Sequence, residues 1–210
     1  MVQYRTKTPR WLTRLFPSGL LWKMPPSVHP TIYLTFDDGP HPTATPFVLE
    51  QLSLYHANAT FFCIGKNVVT HPAIYNNILA GNHTPGNHTQ NHLNGWKASN
   101  VDYFQNIAAA AKQINSKIFR PPYGRMRFSQ ARKLLATGWQ VCMWDVLSGD
   151  FDTTITPERC LENVLNNLEP GSIVVFHDSE KAWPRMSYAL PLVLEYCKQK
   201  NWHVKALPKY

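Results

Sequence analysis

From residue 31 onward the chain alternates short apolar runs with longer stretches whose apolar positions recur every three or four residues. The runs at 31–36 (TIYLTF), 59–64 (ATFFCI), 117–120, 139–144 (WQVCMW), 172–176 (SIVVF) and 202–206 are rich in β-branched and aromatic residues and predict strands. The stretches at 44–57, 68–80, 101–115, 129–136, 157–168 and 183–200 predict amphipathic helices. One of them opens on Thr156-Pro157, a capping residue followed by a proline suited to the first turn. The strand runs are apolar throughout rather than alternating, which predicts cover on both faces. Repeated β-then-α units of this kind predict an α/β fold with a parallel sheet, either open and doubly wound or closed as a barrel.

A chain of 210 residues, 44% of them hydrophobic and 16% charged, fits one ordinary domain with a core of its own. The natural division is a leader at 1–30 and a catalytic domain at 31–210. No run approaches the roughly 18 apolar residues of a membrane span. The formal charge is +8, and Arg5, Lys7, Arg10, Arg14 and Lys23 lie in the leader, ahead of the first carboxylate at Asp37. Trp11, Leu12, Leu15, Phe16, Leu20, Leu21 and Trp22 are interleaved with them. Arg14, Pro17, Ser18 and Gly19 interrupt the apolar stretch that a signal peptide requires, so the expected location is cytoplasmic. Residues 1–23 suit weak contact with an anionic membrane or glycan surface, which would allow association with the cell envelope. They equally suit a leader that packs its Trp and Leu on the domain, and this is favoured because such surface matches are common. No nucleic-acid partner is expected, since no compact basic cluster accompanies a binding motif. Cys63, Cys142, Cys160 and Cys197 form no CxxC pair and are expected to be buried and reduced. Nothing in the sequence indicates an oligomeric state.

The chemistry collects just after the predicted strands, the end at which parallel α/β folds build sites. Asp37-Asp38-Gly39-Pro40 sets two adjacent carboxylates in a turn, costly to bury unless a cation neutralises them or one binds a proton. His88 and His92 stand four apart, which on a helical turn aims both imidazoles at one ion. With Asp38 they make a two-histidine, one-carboxylate set that leaves coordination positions free. Arg120-Pro121-Pro122-Tyr123-Gly124 offers a fixed cation and a stiff turn, 144–152 (WDVLSGDFD) carries three acids, and Val175-Phe176-His177-Asp178 ends the most apolar run. Each alone reads as an ordinary strand-end turn. Five together, at successive strand ends, point to one site.

The segments TFDDGP, HTQNH, RPPYG, SGDF and VVFHD, in this order, resemble the five motifs of the polysaccharide deacetylases, carbohydrate esterase family 4, also called the nodulation-protein-B homology domain. The resemblance runs from about residue 31 to 178, and the expected closing elements reach about 207. It implies a distorted (β/α) barrel of about seven parallel strands and a divalent metal, usually zinc, with cobalt or nickel as alternatives. It further implies Asp38, His88 and His92 as metal ligands, Asp37 as the base that takes a proton from water, and Arg120 as its partner. By the same resemblance the Tyr123 backbone N–H stabilises the oxyanion, and His177, supported by Asp150, is the acid that protonates the departing amine. Phe151 and Val175 match the positions that enclose the acetyl methyl. Leu147 stands where many members have an aspartate, Phe151 replaces a frequent tryptophan and Val175 a frequent leucine, which implies a slightly roomier pocket. Trp96 and Trp183 are candidates for sugar stacking, with core packing the commoner role.

The implied activity is hydrolysis of N-acetyl groups on N-acetylglucosamine-containing glycans, peptidoglycan or chitin-like, releasing acetate. Another acetylated amide such as a polyamine, or O-acetylated xylan, would suit the same residues. Non-haem iron shares the ligand set, but Asp37, Arg120 and His177 have hydrolytic roles. A non-catalytic glycan-binding homologue would be expected to lack the base or the acid, and both positions are filled.

Overall fold

The computed structural model describes residues 4–208. Its helices are α1 (Arg10–Thr13), α2 (Ala44–Leu54), α3 (Gly65–Thr70), α4 (Pro72–Ala80), α5 (Asn100–Ala111), α6 (Phe128–Ala136), α7 (Pro157–Leu165) and α8 (Trp183–Gln199). Its strands are β1 (Thr31–Asp37), β2 (Thr60–Cys63), β3 (Thr84–Asn87), β4 (Ile118–Phe119), β5 (Gln140–Val141), β6 (Val146–Leu147), β7 (Ile173–His177) and β8 (His203–Val204). Seven of them form a curled half-barrel in the order β5-β4-β3-β2-β1-β7-β6, with every neighbouring pair parallel. β8 pairs with the first residues of β1. The barrel-like alternative is therefore the one adopted.

β1 lies mid-sheet and is buried along its whole length. Its alternate residues serve different layers. Ile32, Leu34 and Phe36 join Phe61, Phe176, Val48, Leu190 and Val193 in the core between sheet and helices, with Phe36 stacked on Phe61 and Phe176 at 5.1 and 6.1 Å. Tyr33, Phe62, Ile173 and Cys142 fill the concave interior. All four cysteines are buried and free. Register then does the functional work: Asp37 lies opposite Phe62 on one side and His177 on the other.

Some elements depart from the sequence pattern. β3 falls outside the predicted strands because the Pro85-Gly86 pair within Thr84–Asn87 opposes strand formation. Gly86 is there because a Cβ would collide with the Phe62 ring. Only Gln140–Val141 of the 139–144 run enters a ladder, and the two-residue β6 falls outside the runs. The single helix expected at 68–80 breaks at His71 (φ −126°, ψ 57°), since the residue before a proline disfavours helical geometry. Thr156 does cap α7, its hydroxyl accepting from Arg159 N–H.

The sheet edges β5 and β6 are bridged by the leader. Leu21 N–H donates to Val141 O (2.9 Å) and its carbonyl accepts from Met143 N–H (2.7 Å). Further back, Thr8 N–H donates to Asp145 O and Leu147 N–H to Thr6 O, each at 2.8 Å. Lys7 Nζ lies 2.7 Å from both Asp145 and Glu169. Phe16 packs edge-on against Trp22 and Phe128. Arg10, Trp11, Arg14 and Leu15 face solvent. Among the described residues no helix is long and apolar enough to cross a membrane.

Because Lys7 is the cation beside the nearly buried Asp145, Lys7→Met should lower stability by about 1–2 kcal/mol. The expected signature is a lower urea midpoint at unchanged m; an unmoved midpoint would show that the network does not hold the leader.

Candidate active site

The first strand delivers Asp37 into the concave interior, where it meets Arg120. Arg120 has no exposure to water. Its Nη1 donates to Asp37 Oδ1 and Thr35 Oγ1, both at 2.7 Å, its Nη2 to Met143 O at 2.8 Å, and its face lies 4.1 Å from the Phe62 ring centroid. Such an ion pair endures burial only when its remaining donors are satisfied, as they are here.

Asp38 turns away in the left-handed region (φ 82°), uncommon for a residue with a side chain. The turn is pinned from several sides. Asn67 Nδ2 donates to Asp38 O (2.8 Å), and Gly39 N–H donates to Asp178 Oδ1 (3.0 Å). Thr45 Oγ1 donates to the other Asp178 oxygen. Asp178 fits so closely that a Cβ at Gly39 would overlap its carboxyl group. Burial pushes the Asp178 carboxyl up to about 8, against the hydrogen bond from Thr45.

His88 and His92 do not lie on a helix, contrary to the expectation from their spacing. They follow β3 in a loop where Thr89 (φ 64°) and His92 (φ 55°) are both left-handed. Side chains replace helical hydrogen bonds: Thr89 N–H donates to Asn87 Oδ1, Leu93 N–H to Thr89 Oγ1, and Gln90 and Asn91 N–H to Asn106 Oδ1. The imidazoles still converge. His88 Nδ1 pairs with Arg120 O at 2.8 Å and His92 Nδ1 with the Tyr123 hydroxyl at 3.0 Å. Their Nε2 atoms lie 3.7 and 3.2 Å from Asp38 Oδ1.

These three ligand atoms lie within 4.8 Å of one another. Asp38 Oδ1 is buried without a hydrogen-bond partner, a costly condition that a cation would relieve. Burial pushes His88 down to about 4, so it is neutral, as a ligand must be. Burial also works against the Asp38 charge, but His92 first, then His177 and His88, hold that carboxyl below its ordinary range. The donor set fits a divalent metal.

On the other side of β1, His177 Nδ1 lies 2.7 Å from Asp150 Oδ1, and its backbone N–H donates to Asp150 Oδ2 at 2.6 Å. Burial opposes the imidazolium, yet the Asp150 charge and hydrogen bond prevail, with help from Asp38 and Asp37, and raise His177 to about 10. Phe151 sets its ring edge-on to His177 at 5.3 Å. Val175, two residues before His177 on β7, is buried on the same face of the sheet.

A polysaccharide deacetylase family model matches residues 25–141, more than half of the chain. A Bacillus cereus protein named peptidoglycan-N-acetylglucosamine deacetylase is 32% identical over 195 residues, covering 90% of this chain and 91% of that one. The chain belongs to the polysaccharide deacetylase family. A chitooligosaccharide deacetylase of Azorhizobium caulinodans is 34% identical over 155 residues, covering 70% of this chain and 73% of that protein. The crystal structure of the Bc1960 peptidoglycan N-acetylglucosamine deacetylase superposes with a TM-score of 0.87 at 27% identity, covering 96% and 95% of the two chains. Deacetylases of this family are metal-dependent in general.

In this family member the structure gathers Asp37 with Arg120, Asp38 with His88, His92 and Tyr123, and His177 with Asp150 and Phe151. Tyr123 is left-handed (φ 61°) and exposed in the turn after β4. Sequence reasoning missed the outer supports. Arg185 Nε donates to Asp150 O at 2.6 Å; its only signal was a cation within the apolar pattern of α8. Tyr4 packs on Phe151 at 5.2 Å, beside the position where tryptophan is frequent. No sequence signal links residues so far apart. Trp183 packs edge-on against Phe47 beside the main core.

Asp178 touches no ligand atom and acts through the Asp38 turn. Asp178→Ala should therefore weaken binding of a divalent cation about 10–100-fold. Zinc titration calorimetry on stripped protein reads this directly, and unchanged affinity would rule out the positioning role.

Proposed function

We infer that this chain is a metal-dependent deacetylase that hydrolyses N-acetyl groups on N-acetylglucosamine-containing glycans, peptidoglycan or chitin-like, releasing acetate. The observation that carries this reading is the arrangement around the end of β1. A paired carboxylate, Asp37, adjoins a three-ligand cluster built on Asp38 and lies in register with a partly buried histidine held by its own carboxylate. The names of the B. cereus and A. caulinodans relatives support the substrate class.

Asp38, His88 and His92 would hold the cation, zinc being suited to two imidazoles and a carboxylate. When bound, it supplies Lewis acidity that makes water more acidic and polarises the acetyl carbonyl. Asp37 accepts the proton of the attacking water, and Arg120 holds that carboxylate in place. The Tyr123 backbone N–H donates to the developing oxyanion. His177, cationic because of Asp150, donates a proton from Nε2 to the departing amine nitrogen. Phe151, backed by Tyr4, and Val175 enclose the acetyl methyl.

Acetate release from N-acetylated glucosamine oligosaccharides tests the reading. Asp37→Asn should abolish turnover with zinc still bound, whereas His88→Ala should lose zinc. Full activity after chelation and dialysis would overturn the assignment.

A raised histidine pKa has a definite sign in the rate. The acid works below its folded pKa of about 10 and fails above it. In Asp150→Asn, burial is left to depress that pKa, so the alkaline limb of kcat should move several units toward acid. At pH 8 a loss of at least about tenfold is expected, with less loss near pH 5.5. A limb that stays in place would remove His177 from the role.

A further inference from the structure

Trp96 has no part in the chemistry above, yet it is firmly held. Its side chain is 56% exposed. Its Nε1 donates to Met126 O at 3.0 Å, its backbone N–H to Asn94 Oδ1 at 3.0 Å, and its carbonyl accepts from the Arg127 guanidinium at 3.2 Å. Beneath it, buried Gln130 ties the two segments together, accepting from Arg127 N–H and donating to Gly95 O. An exposed aromatic ring already fixed in this way loses little freedom on meeting a ligand.

The Arg125 guanidinium lies 5.1 Å from the Trp96 ring centroid. A contact of this kind orients the cation without neutralising it. Arg125 and Arg127 are both exposed, and neither takes part in an ion pair among the described residues. Arg125 is two residues beyond Tyr123, whose hydroxyl meets His92, and Trp96 is four residues beyond His92. Gly95 N–H donates to Arg125 O at 3.1 Å, so the segments that meet through His92 and Tyr123 also meet where Trp96 and Arg125 stand. A planar, oriented guanidinium with no carboxylate partner among the described residues is suited to bind a carboxylate through two hydrogen bonds.

Resting on the deacetylase reading above, we propose that Trp96 and Arg125 form a subsite for a carboxylate carried by a sugar near the one deacetylated. The substrate class is then an acidic glycan, in which N-acetylglucosamine alternates with a sugar bearing a lactyl or peptide carboxylate, as in peptidoglycan. A neutral chitooligosaccharide offers Arg125 no counter-charge. Trp96 is the positioning platform, and Arg125 makes the contact.

The test compares the zinc-loaded enzyme on four tetrasaccharides: peptidoglycan with free lactyl carboxylates, the same glycan methyl-esterified, the glycan with its stem peptides, and chitotetraose. The free acid should exceed its ester in kcat/KM by about tenfold, an advantage that shrinks between about 50 and about 500 mM sodium chloride. If the stem-bearing glycan alone holds the advantage, the carboxylate recognised is that of the peptide. Arg125→Gln should bring the acid-to-ester ratio close to one through KM, with kcat changing less than about twofold. Trp96→Leu should erode the ratio by freeing the cation, and Arg125→Lys should restore only part of it. Arg159→Gln, on the exposed face of α7, serves as the surface control and should leave the ratio alone. Calorimetry with the free-acid glycan should show the same loss of affinity in Arg125→Gln without turnover. Equal use of acid and ester by the wild-type enzyme, or a ratio indifferent to Arg125→Gln, would overturn the subsite while leaving the deacetylase reading intact. Failure to release acetate from all four glycans would remove that reading and the subsite with it.

Discussion

The guanidinium of Arg120 sits wholly inside the half-barrel, and removing such a charge from water costs several kcal/mol unless the protein replaces the lost hydrogen bonds. The replacements come from separate strands and links: Thr35 and Asp37 on β1, Phe62 on β2, and Cys142 and Met143 in the segment between β5 and β6. Solvating the charge therefore also holds those elements in place. The Arg120 carbonyl in turn meets His88 Nδ1, which leaves His88 Nε2 toward Asp38. The proposed base and one of the candidate metal ligands thus depend on the same buried residue.

Two histidines, one buried and one partly buried, flank this centre in opposite charge states, and their partners explain why. His88 is buried with a backbone carbonyl on Nδ1, so desolvation prevails and the ring stays neutral. His177 is partly buried with a carboxylate on Nδ1, and that carboxylate also takes its backbone N–H, so the cation prevails. A neutral imidazole suits a metal ligand and a charged one suits an acid. Backbone strain accompanies this division: Asp38, Thr89, His92 and Tyr123 all occupy left-handed conformations at or beside the cluster. Such conformations persist only where the surroundings over-determine them, here through Asn67, Asn87, Asn106 and Asp178.

The leader belongs to the same architecture. Its backbone bonds to the two sheet edges, Lys7 and Lys23 share Glu169, and Tyr4 backs the ring beside His177. A segment distinguished in sequence by charge thus joins the half-barrel seam to the Phe151 and His177 side of the site.

How much of this was legible differs by residue. The strands with continuous apolar runs, β1, β2 and β7, were readable because burial on both faces requires such residues along their length. Asp37, Arg120 and His177 were readable because each closes an apolar run, and strand ends converge in a parallel sheet, whereas His88 and His92 were readable only from their spacing and the motif they share. β3 was hidden: its Pro-Gly pair opposes strand propensity, and Gly86 is needed only because Phe62 lies against it. The loop carrying His88 and His92 was misread because their spacing is equally good for a helical turn. What turns it into a loop is side-chain capture by Asn87 and Asn106, which no local pattern reveals.

By itself the sequence determined the α/β class, the order of the strand-end motifs and the chemical types available there, since these follow from local composition and period. Tertiary structure alone decided which atoms of those residues face one another, which histidine keeps its proton, and that Tyr4, Asp178 and Arg185 stand near the chemistry. Those outcomes depend on burial and on contacts between residues distant in the chain, and neither is encoded at any one position.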